Sequence, residues 1–328
     1  MEFKNYLIPP QSLPAIEKMN KLGKSKIPFI FIIDFEMLKP VVISVENAER
    51  EGIKYIFRNN SVIRGKKDIK FKKHPVNYSE YKTAFDSVMK EISEGNTYLL
   101  NLTLPTKIDI DLTLADIYNN STAKYKLIFK NEFVIFSPET FVLIEKGIIS
   151  SFPMKGTIDA SLPDAEKMLL ENNKEIAEHN TIVDLIRNDL SLVSKNVKVE
   201  KFRYVDKLLT SDKSLLQVSS KISGELPADY CEQIGDLIFG MLPAGSISGA
   251  PKKKTVEIIQ SVEKIKRGYY TGICGIFDGG NLDSAVMIRY IENTPQGMFY
   301  RSGGGITHMS DAEYEYKELI DKVYVPII

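Results

Sequence analysis

From Ile27 to Ile63 short apolar runs alternate with charged residues, a pattern that predicts antiparallel strands burying one face. The most apolar run, Ile27 to Phe35, carries Asp34 near its end and is far shorter than the roughly 20 residues a membrane helix needs, so it reads as a buried strand. Lys66 to His74 interrupts the pattern with a basic stretch and reads as a solvated connection. Tyr78 to Glu94 has helical spacing, with Tyr81, Phe85, Val88, Met89 and Ile92 on one face and Gly95 as its stop. A strand follows from Thr97 to Lys107, a short helix from Thr113 to Asn119, and paired strands from Lys126 to Ile149.

Asp164 to Leu190 reads as one helix with an apolar stripe through Ile176, Ile182, Leu185 and Ile186. Val197 to Ile222 is β-like, Tyr230 to Met241 and Pro251 to Ile265 are helical, and Gly272 to Ile291 and Gly297 to Thr307 alternate as strands. A last helix spans Asp311 to Val323. There is no fixed repeat and no regular βαβ rhythm, so the fold class is α+β rather than doubly wound α/β. The organisation expected is a short N-terminal β-rich part, residues 1–77, of the same fold as a catalytic region at 78–328.

Composition narrows the partners. The 328 residues carry 43 Lys plus Arg and 43 Asp plus Glu, so no global field favours nucleic acid, and a small molecule or a protein is the expected partner. Cys231 and Cys274, the two cysteines, are too few for a disulfide framework and read as reduced cytosolic thiols. Met1 to Pro10 lacks a basic region followed by an apolar one, as a signal peptide would have. The expectation is a cytoplasmic protein that meets neither membrane nor nucleic acid.

Two acidic pairs stand at i, i+3 spacing on helices, Glu175 with Glu178 and Glu315 with Glu318. Such pairs are common on solvated helix faces; if the four converge, they form a hard oxygen cage that calls for a divalent cation, and magnesium fits. The glycine-rich segment Pro243 to Lys252 precedes a helix, where free N–H groups favour an anion, but it lacks the Gly-Lys-Ser/Thr ending of a nucleotide loop. Ser302-Gly-Gly-Gly-Ile306 allows close approach of a ligand to bare backbone, or forms a plain turn or bulge. Arg289 and Lys322 are candidate partners for a substrate carboxylate, and Tyr270 offers a hydroxyl or simple packing.

Six segments then occur in one order: Ser137-Pro-Glu-Thr-Phe141, Pro153-Met-Lys-Gly-Thr157, Glu178 to Leu190, Gly245-Ser-Ile-Ser-Gly-Ala-Pro-Lys252, Arg267-Gly-Tyr-Tyr-Thr-Gly272 and Gly303-Gly-Gly-Ile306. Together, over roughly residues 78–325, they resemble the chorismate-utilising enzymes, a family of anthranilate, aminodeoxychorismate, isochorismate and salicylate synthases. The resemblance implies a four-layer α/β/β/α fold of large antiparallel sheets flanked by helices. It implies that Glu175, Glu178, Glu315 and Glu318 hold Mg2+ and bridge it to the ring carboxylate of chorismate. It implies substrate contacts at Thr157, Ser248, Gly249, Tyr270 and Gly272, and at Arg289, Gly303, Gly305 and Lys322.

Lys155 selects the branch, because anthranilate synthases carry alanine at the matching position and aminodeoxychorismate synthases carry lysine. The resemblance therefore implies amination of chorismate at C4 through a covalent lysine intermediate, with Glu139 as general acid, on the way to p-aminobenzoate and folate. Lys155 must be neutral to attack. No glutaminase motif is present, so ammonia is expected from a separate glutamine amidotransferase subunit or from solution. Gln217 stands where the family usually has histidine, which keeps anthranilate or isochorismate synthesis and a non-catalytic chorismate-binding subunit as alternatives.

Overall fold

The structure, a computed structural model, describes residues 8–58, 69–209 and 214–326; the side chains of residues 157, 173, 174, 208, 209 and 215 also lie outside the description. The chain begins with a helix that the N-terminal pattern does not signal, α1 (Leu13–Lys24), whose buried stripe is Ala15, Ile16, Met19 and Gly23. Three strands follow, β1 (Phe29–Ile33), β2 (Val41–Ser44) and β3 (Ile53–Phe57). The basic stretch read as a connection is corrected in part: Phe71–His74 forms β4, paired in antiparallel with the later strand at Lys107 to Ile110, while residues 66–68 lie outside the described residues.

Local rules account for the middle of the chain. In α2 (Tyr78–Ser93) the Asn77 side chain caps the Glu80 N–H, and Gly95 at φ +77 supplies the stop. After β5 (Leu99–Ile110), a reciprocal Thr113–Asp116 capping box opens α3 (Leu114–Asn120). The paired strands are β6 (Tyr125–Phe129), β7 (Phe133–Ser137), β8 (Thr140–Glu145), β9 (Ile148–Ser151) and β10 (Met154–Asp159).

The single helix predicted over Asp164 to Leu190 is two, α4 (Ala165–Glu171) and α5 (Asn173–Val193), because Asn172 turns to extended geometry and its side chain caps the Glu175 N–H. The cap fixes where α5 starts and so places Glu175 in its first turn. Two long strands, β11 (Lys195–Leu209) and β12 (Ser214–Glu225), lead to a 3-10 turn at Tyr230–Gln233 and only then to α6 (Ile234–Gly240), shorter than the helix the periodicity predicts. The remaining elements are β13 (Gly249–Ala250), α7 (Lys252–Val262), β14 (Ile273–Phe277), β15 (Leu282–Val286), β16 (Tyr290–Thr294), β17 (Gly297–Ile306) and α8 (Ala312–Asp321).

All strand pairs are antiparallel and they build two sheets among the described residues. One runs β10-β12-β9-β8-β15-β14-β1-β2, with β11 also on β12; the other runs β13-β5-β17-β16-β7-β6-β3, with β4 also on β5. Strands from the first 77 residues enter both sheets.

The layer order follows from which side chains share a core. Phe29, Phe31 and Ile33 of β1 pack with Ile16 and Met19 of α1, Ile182 and Ile186 of α5, and Leu237 of α6. The alternate residues Ile30 and Ile32 pack with Leu127, Phe133 and Ile135 of the other sheet. On the far face of that sheet, Ile128, Val134 and Phe136 meet Leu114 and Ile117 of α3. Helices, sheet, sheet and helices thus stack as α/β/β/α, and β1 is apolar at every position because both of its faces are covered. The mixed α and β fold with two large antiparallel sheets is the architecture the sequence implies.

Candidate active site

Two neighbouring connections cross from one sheet to the other side by side. β7 and β16 are paired in one sheet, β8 and β15 in the other, and the links β7 to β8 and β15 to β16 carry Glu139 and Arg289. The links are fastened by backbone: the Val286 N–H donates to the Glu139 carbonyl and the Phe136 N–H to the Arg289 carbonyl, both at 3.1 Å. Arg289 makes its turn at φ +53, a left-handed conformation that side chains adopt at some cost. Its guanidinium lies over the Tyr324 ring at 5.4 Å, and its Nε donates to the Tyr324 hydroxyl at 3.3 Å.

Lys155 lies in β10 opposite Val218 of β12, and the register then shifts at Gly156, φ +72, so that Thr157 faces Gln217. This bulge bends the strand beside the start of α5. Lys155 Nζ sits 3.1 Å from Glu178 Oε2, with the lysine side chain a quarter exposed and the glutamate 7% exposed. A methyl built on Gly156 would lie 3.3 Å from Glu175 Oε2, so the glycine also makes room for that carboxylate.

The bare strand Gly303 to Gly305 of β17 divides the charges into two groups. A methyl on Gly305 would stand 3.3 Å from Lys155 Nζ and 3.7 Å from Glu178 Oε2. A methyl on Gly304 would stand 3.4 Å from Glu315 Oε2, 3.8 Å from Glu318 Oε1 and 3.9 Å from Lys322 Nζ. Lys322 Nζ pairs with Glu318 Oε1 at 2.6 Å and donates to the Gly303 carbonyl at 2.9 Å, while Ser310 Oγ donates to Glu315 Oε1 at 2.8 Å. The structure therefore brings Lys155, Lys322, Glu178, Glu315 and Glu318 to one stretch of main chain, with Glu175 beside Gly156.

The electrostatics separate the two lysines. Burial pushes Lys155 down, but Glu178, with Glu175 and Glu318 behind it, outweighs burial and the net pKa is raised. For Lys322 burial wins over Glu318, and the charges of Lys155 and Arg289 add to it, so its pKa is lowered. Burial raises the Glu139 pKa; Ser246, Lys155, Arg289 and Lys322 all oppose this. Glu139 thus belongs to the same field as the lysines.

The donor set Glu175, Glu178, Glu315 and Glu318 is all hard oxygen, as magnesium requires. Among the described residues, however, no three His, Cys, Asp or Glu side chains are gathered closely enough to hold a metal ion, and ammonium groups stand against Glu178 and Glu318. The chemistry of the donors fits a divalent cation, with these two lysines as its rivals for the same carboxylates.

Other candidate residues are engaged in the framework. Ser248 donates its hydroxyl to the Ala244 carbonyl at 2.8 Å and its N–H to the Gly245 carbonyl at 3.3 Å, while its own carbonyl accepts from the Asn101 N–H at 2.9 Å. Gly249 and Gly272 press against the Leu99 and Ile33 carbonyls, where a methyl would come within 1.9 and 2.1 Å. Tyr270 lies in a turn, packs on Tyr290, and has its pKa pushed up to about 12 by burial. The Thr157 side chain lies outside the described residues.

Sequence reasoning missed three side chains at the site. Ser246 Oγ donates to Glu139 Oε1 at 2.5 Å. Asp189 binds Lys252 in a buried pair that steadies the glycine-rich loop. Ser246 and Lys252 lie inside a segment read for its backbone alone, and Asp189 within the Glu178 to Leu190 motif. His179, buried against the Ser220 hydroxyl at 2.7 Å, has its pKa lowered to about 4, first by burial and then by Arg203 and Lys155. A separate cavity of about 940 Å3 lies between α2, α7 and the open edge of β5 at Leu102 to Pro105 and includes none of these site residues.

Comparison with known proteins follows the same lines. Residues 41–327 match the family described as chorismate binding enzyme. A PabA-like protein of Haemophilus influenzae is 51% identical over 95% of this chain and 96% of its own length. Aminodeoxychorismate synthase component 1 of Bacillus subtilis is 30% identical over 76% of this chain and 55% of its own length. Among solved structures, anthranilate synthase component I from Streptococcus pneumoniae superposes with a TM-score of 0.65 at 28% identity, over 78% of this chain and 59% of its own. Among the described residues no helix is long and apolar enough to cross a membrane.

Proposed function

The chain belongs to the family of chorismate binding enzymes, and from that premise we propose that it aminates chorismate at C4 to give 4-amino-4-deoxychorismate. The observation that carries this reading is the place of Lys155, whose amine stands 3.1 Å from Glu178 beside the bare Gly305 backbone. A neutral amine there can bond to ring carbon C2 and lose a proton, as both ring double bonds shift by one position, C1=C2 to C1=C6 and C5=C6 to C4=C5, and the C4 hydroxyl leaves. Glu139, whose pKa is raised by burial, is suited to give the departing hydroxyl its proton. Ammonia then bonds to C4 and gives up a proton, both double bonds shift back, and the C2–nitrogen bond breaks with its electron pair and a proton going to Lys155, which restores the enzyme.

Lys155 must lose its proton before it can attack, and its carboxylate neighbours oppose this. Glu175, Glu178, Glu315 and Glu318 are the residues that would hold magnesium, which when bound supplies positive charge for a substrate carboxylate and offsets the glutamates' hold on the lysines. Arg289 and Lys322 serve the substrate's remaining negative charge. Ammonia comes from a separate glutamine amidotransferase subunit or from solution.

The test is product analysis by mass spectrometry after incubation with chorismate, magnesium and ammonium. Aminodeoxychorismate is expected, and Lys155→Ala should abolish both the product and covalent trapping of the substrate. Anthranilate with pyruvate, or isochorismate, would move the assignment to another reaction of the family. Tight chorismate binding without turnover would make the chain a binding subunit, a reading to which Gln217, on the strand beside Lys155, lends its support.

A further inference from the structure

Among the described residues the Glu139 carboxyl takes its side-chain hydrogen bond from Ser246, whose hydroxyl donates to Oε1. Ser246 sits in the 3-10 turn Gly245–Ile247, and both of its neighbours are anchored. On one side the Gly245 N–H donates to the buried Asp189 carboxylate, which is gripped by Lys252; Lys252 in turn donates to the Met241 carbonyl at 2.8 Å. On the other side the Ile247 carbonyl accepts from Arg267 Nη1 at 2.8 Å. The acid's backbone is held as firmly, with its N–H on Ser137 Oγ and its carbonyl on the Val286 N–H, both at 3.1 Å. Neither partner can drift from the other without breaking these ties.

We propose that Ser246 is a positioning residue for Glu139: its hydroxyl occupies Oε1 and so leaves Oε2 as the oxygen that carries and delivers the proton. The inference rests on the reading of Glu139 as the acid. A hydroxyl that donates to Oε1 makes that oxygen the poorer site for a second hydrogen, and the acid's proton is directed to the other oxygen. Lys155, Arg289 and Lys322 are charged groups within reach of Glu139. Asp189 lines the same small void of about 20 Å3, with Gly245 and Val286, on the loop side. That void has room for one water, so truncating Ser246 to alanine would let water replace the hydroxyl. The informative pair is therefore Ser246→Thr against Ser246→Val, which share a shape and differ in the hydroxyl.

The assay is chorismate amination with magnesium and ammonium across pH. Ser246→Thr should retain kcat, whereas Ser246→Val should lose about tenfold or more in kcat, as misplacement of an acid does, with the KM for chorismate little changed. The basic limb of the Ser246→Val profile should move to higher pH, because a donor to the ionised carboxylate is gone. Equal kcat and equal profiles for the two variants would overturn the proposal. Glu139→Gln separates the two levels: an inactive Glu139→Gln with indistinguishable Thr and Val variants sinks the positioning role alone, and an active Glu139→Gln sinks it together with the acid. If the branched side chains prevent folding, as judged by circular dichroism, Ser246→Cys, which fills the same space and donates only weakly, is compared with the parent enzyme: a kcat and pH profile equal to the parent's would overturn the proposal.

Discussion

Lys155 Nζ and Glu178 Oε2 stand 3.1 Å apart, the one on strand β10 and the other in the second turn of α5, so the proposed nucleophile is tied directly to a proposed metal ligand. Lys322 and Glu318 repeat the arrangement at 2.6 Å across the glycine strand. Each ammonium neutralises a carboxylate that a divalent cation would need.

A first prediction concerns that competition. Glu178→Gln and Glu318→Gln should each raise the magnesium concentration for half-maximal activity, on the order of tenfold or more, because ligand charge sets the affinity of such sites. Magnesium titration of both variants, with Glu171→Gln on neighbouring α4 as the control, checks it. No change in any of the three would remove the glutamates from the metal site.

The glycine strand should respond differently at neighbouring positions. At Gly303 a methyl would meet the Leu102 carbonyl at 2.6 Å, which is backbone and cannot yield. Gly303→Ala should cost about 1–3 kcal/mol of stability, as overpacking does. At Gly305 the closest groups are Leu99 Cδ1 at 3.2 Å and the movable end of Lys155 at 3.3 Å, so Gly305→Ala should leave the thermal midpoint nearly unchanged and lower kcat/KM. Thermal melts beside steady-state kinetics separate the two effects.

Glu139 should make stability depend on pH. Burial raises its folded pKa above the ordinary 4.5, so the folded state binds its proton more tightly than the unfolded chain. Its stabilising share is complete below 4.5 and is lost as pH rises through the folded value. Glu139→Gln, which cannot ionise, should therefore match the parent in urea unfolding at about pH 4 and exceed it at about pH 8. A stability difference that shrinks as pH rises would contradict the assignment.

Glu263 and Arg267 form a buried knot. The Arg267 guanidinium gives 2.7 and 2.8 Å bonds to Glu263, further bonds to the Ile247 and Asn101 carbonyls, and stacks 4.5 Å from Phe35. Glu263 also accepts the Thr103 N–H at 2.9 Å on the open edge of β5. Glu263→Gln leaves the guanidinium buried without its counter-charge and should cost about 3–5 kcal/mol in denaturant unfolding. A loss below about 1 kcal/mol, the worth of an exposed pair, would show that the knot is solvated.

What the sequence makes legible depends on how local the cause is. α2, β5 and α3 follow from periodicity and caps within their own segments, and so do the i, i+3 glutamates. α1 escapes because its buried stripe includes Ala15 and Gly23, which carry little hydrophobic signal. Their smallness is a tertiary requirement: a methyl on Gly23 would lie 2.0 Å from the Cys231 carbonyl. The break before α5 escapes because apolar spacing runs on across Asn172, where capping wins over continuation. The meeting of Glu139 with Ser246 needs two sheet crossings and an anchored loop, and no spacing in the chain encodes it. The hydrogen bonds of Ser248 are hidden for the same reason, since its backbone and hydroxyl partners come from the folded loop and from β5.

The run from Gly303 to Gly305 has one more consequence, for how such a protein can change over evolutionary time. Where the wall beside the proposed reacting groups is main chain, point substitution has nothing to exchange there; it can only add bulk, and at Gly303 the addition meets backbone. Divergence toward a related reaction is thereby channelled away from that wall and onto the side chains that other elements bring to it. Lys155 on β10, Glu139 at the sheet crossing and Gln217 on β12 are the positions left open to it.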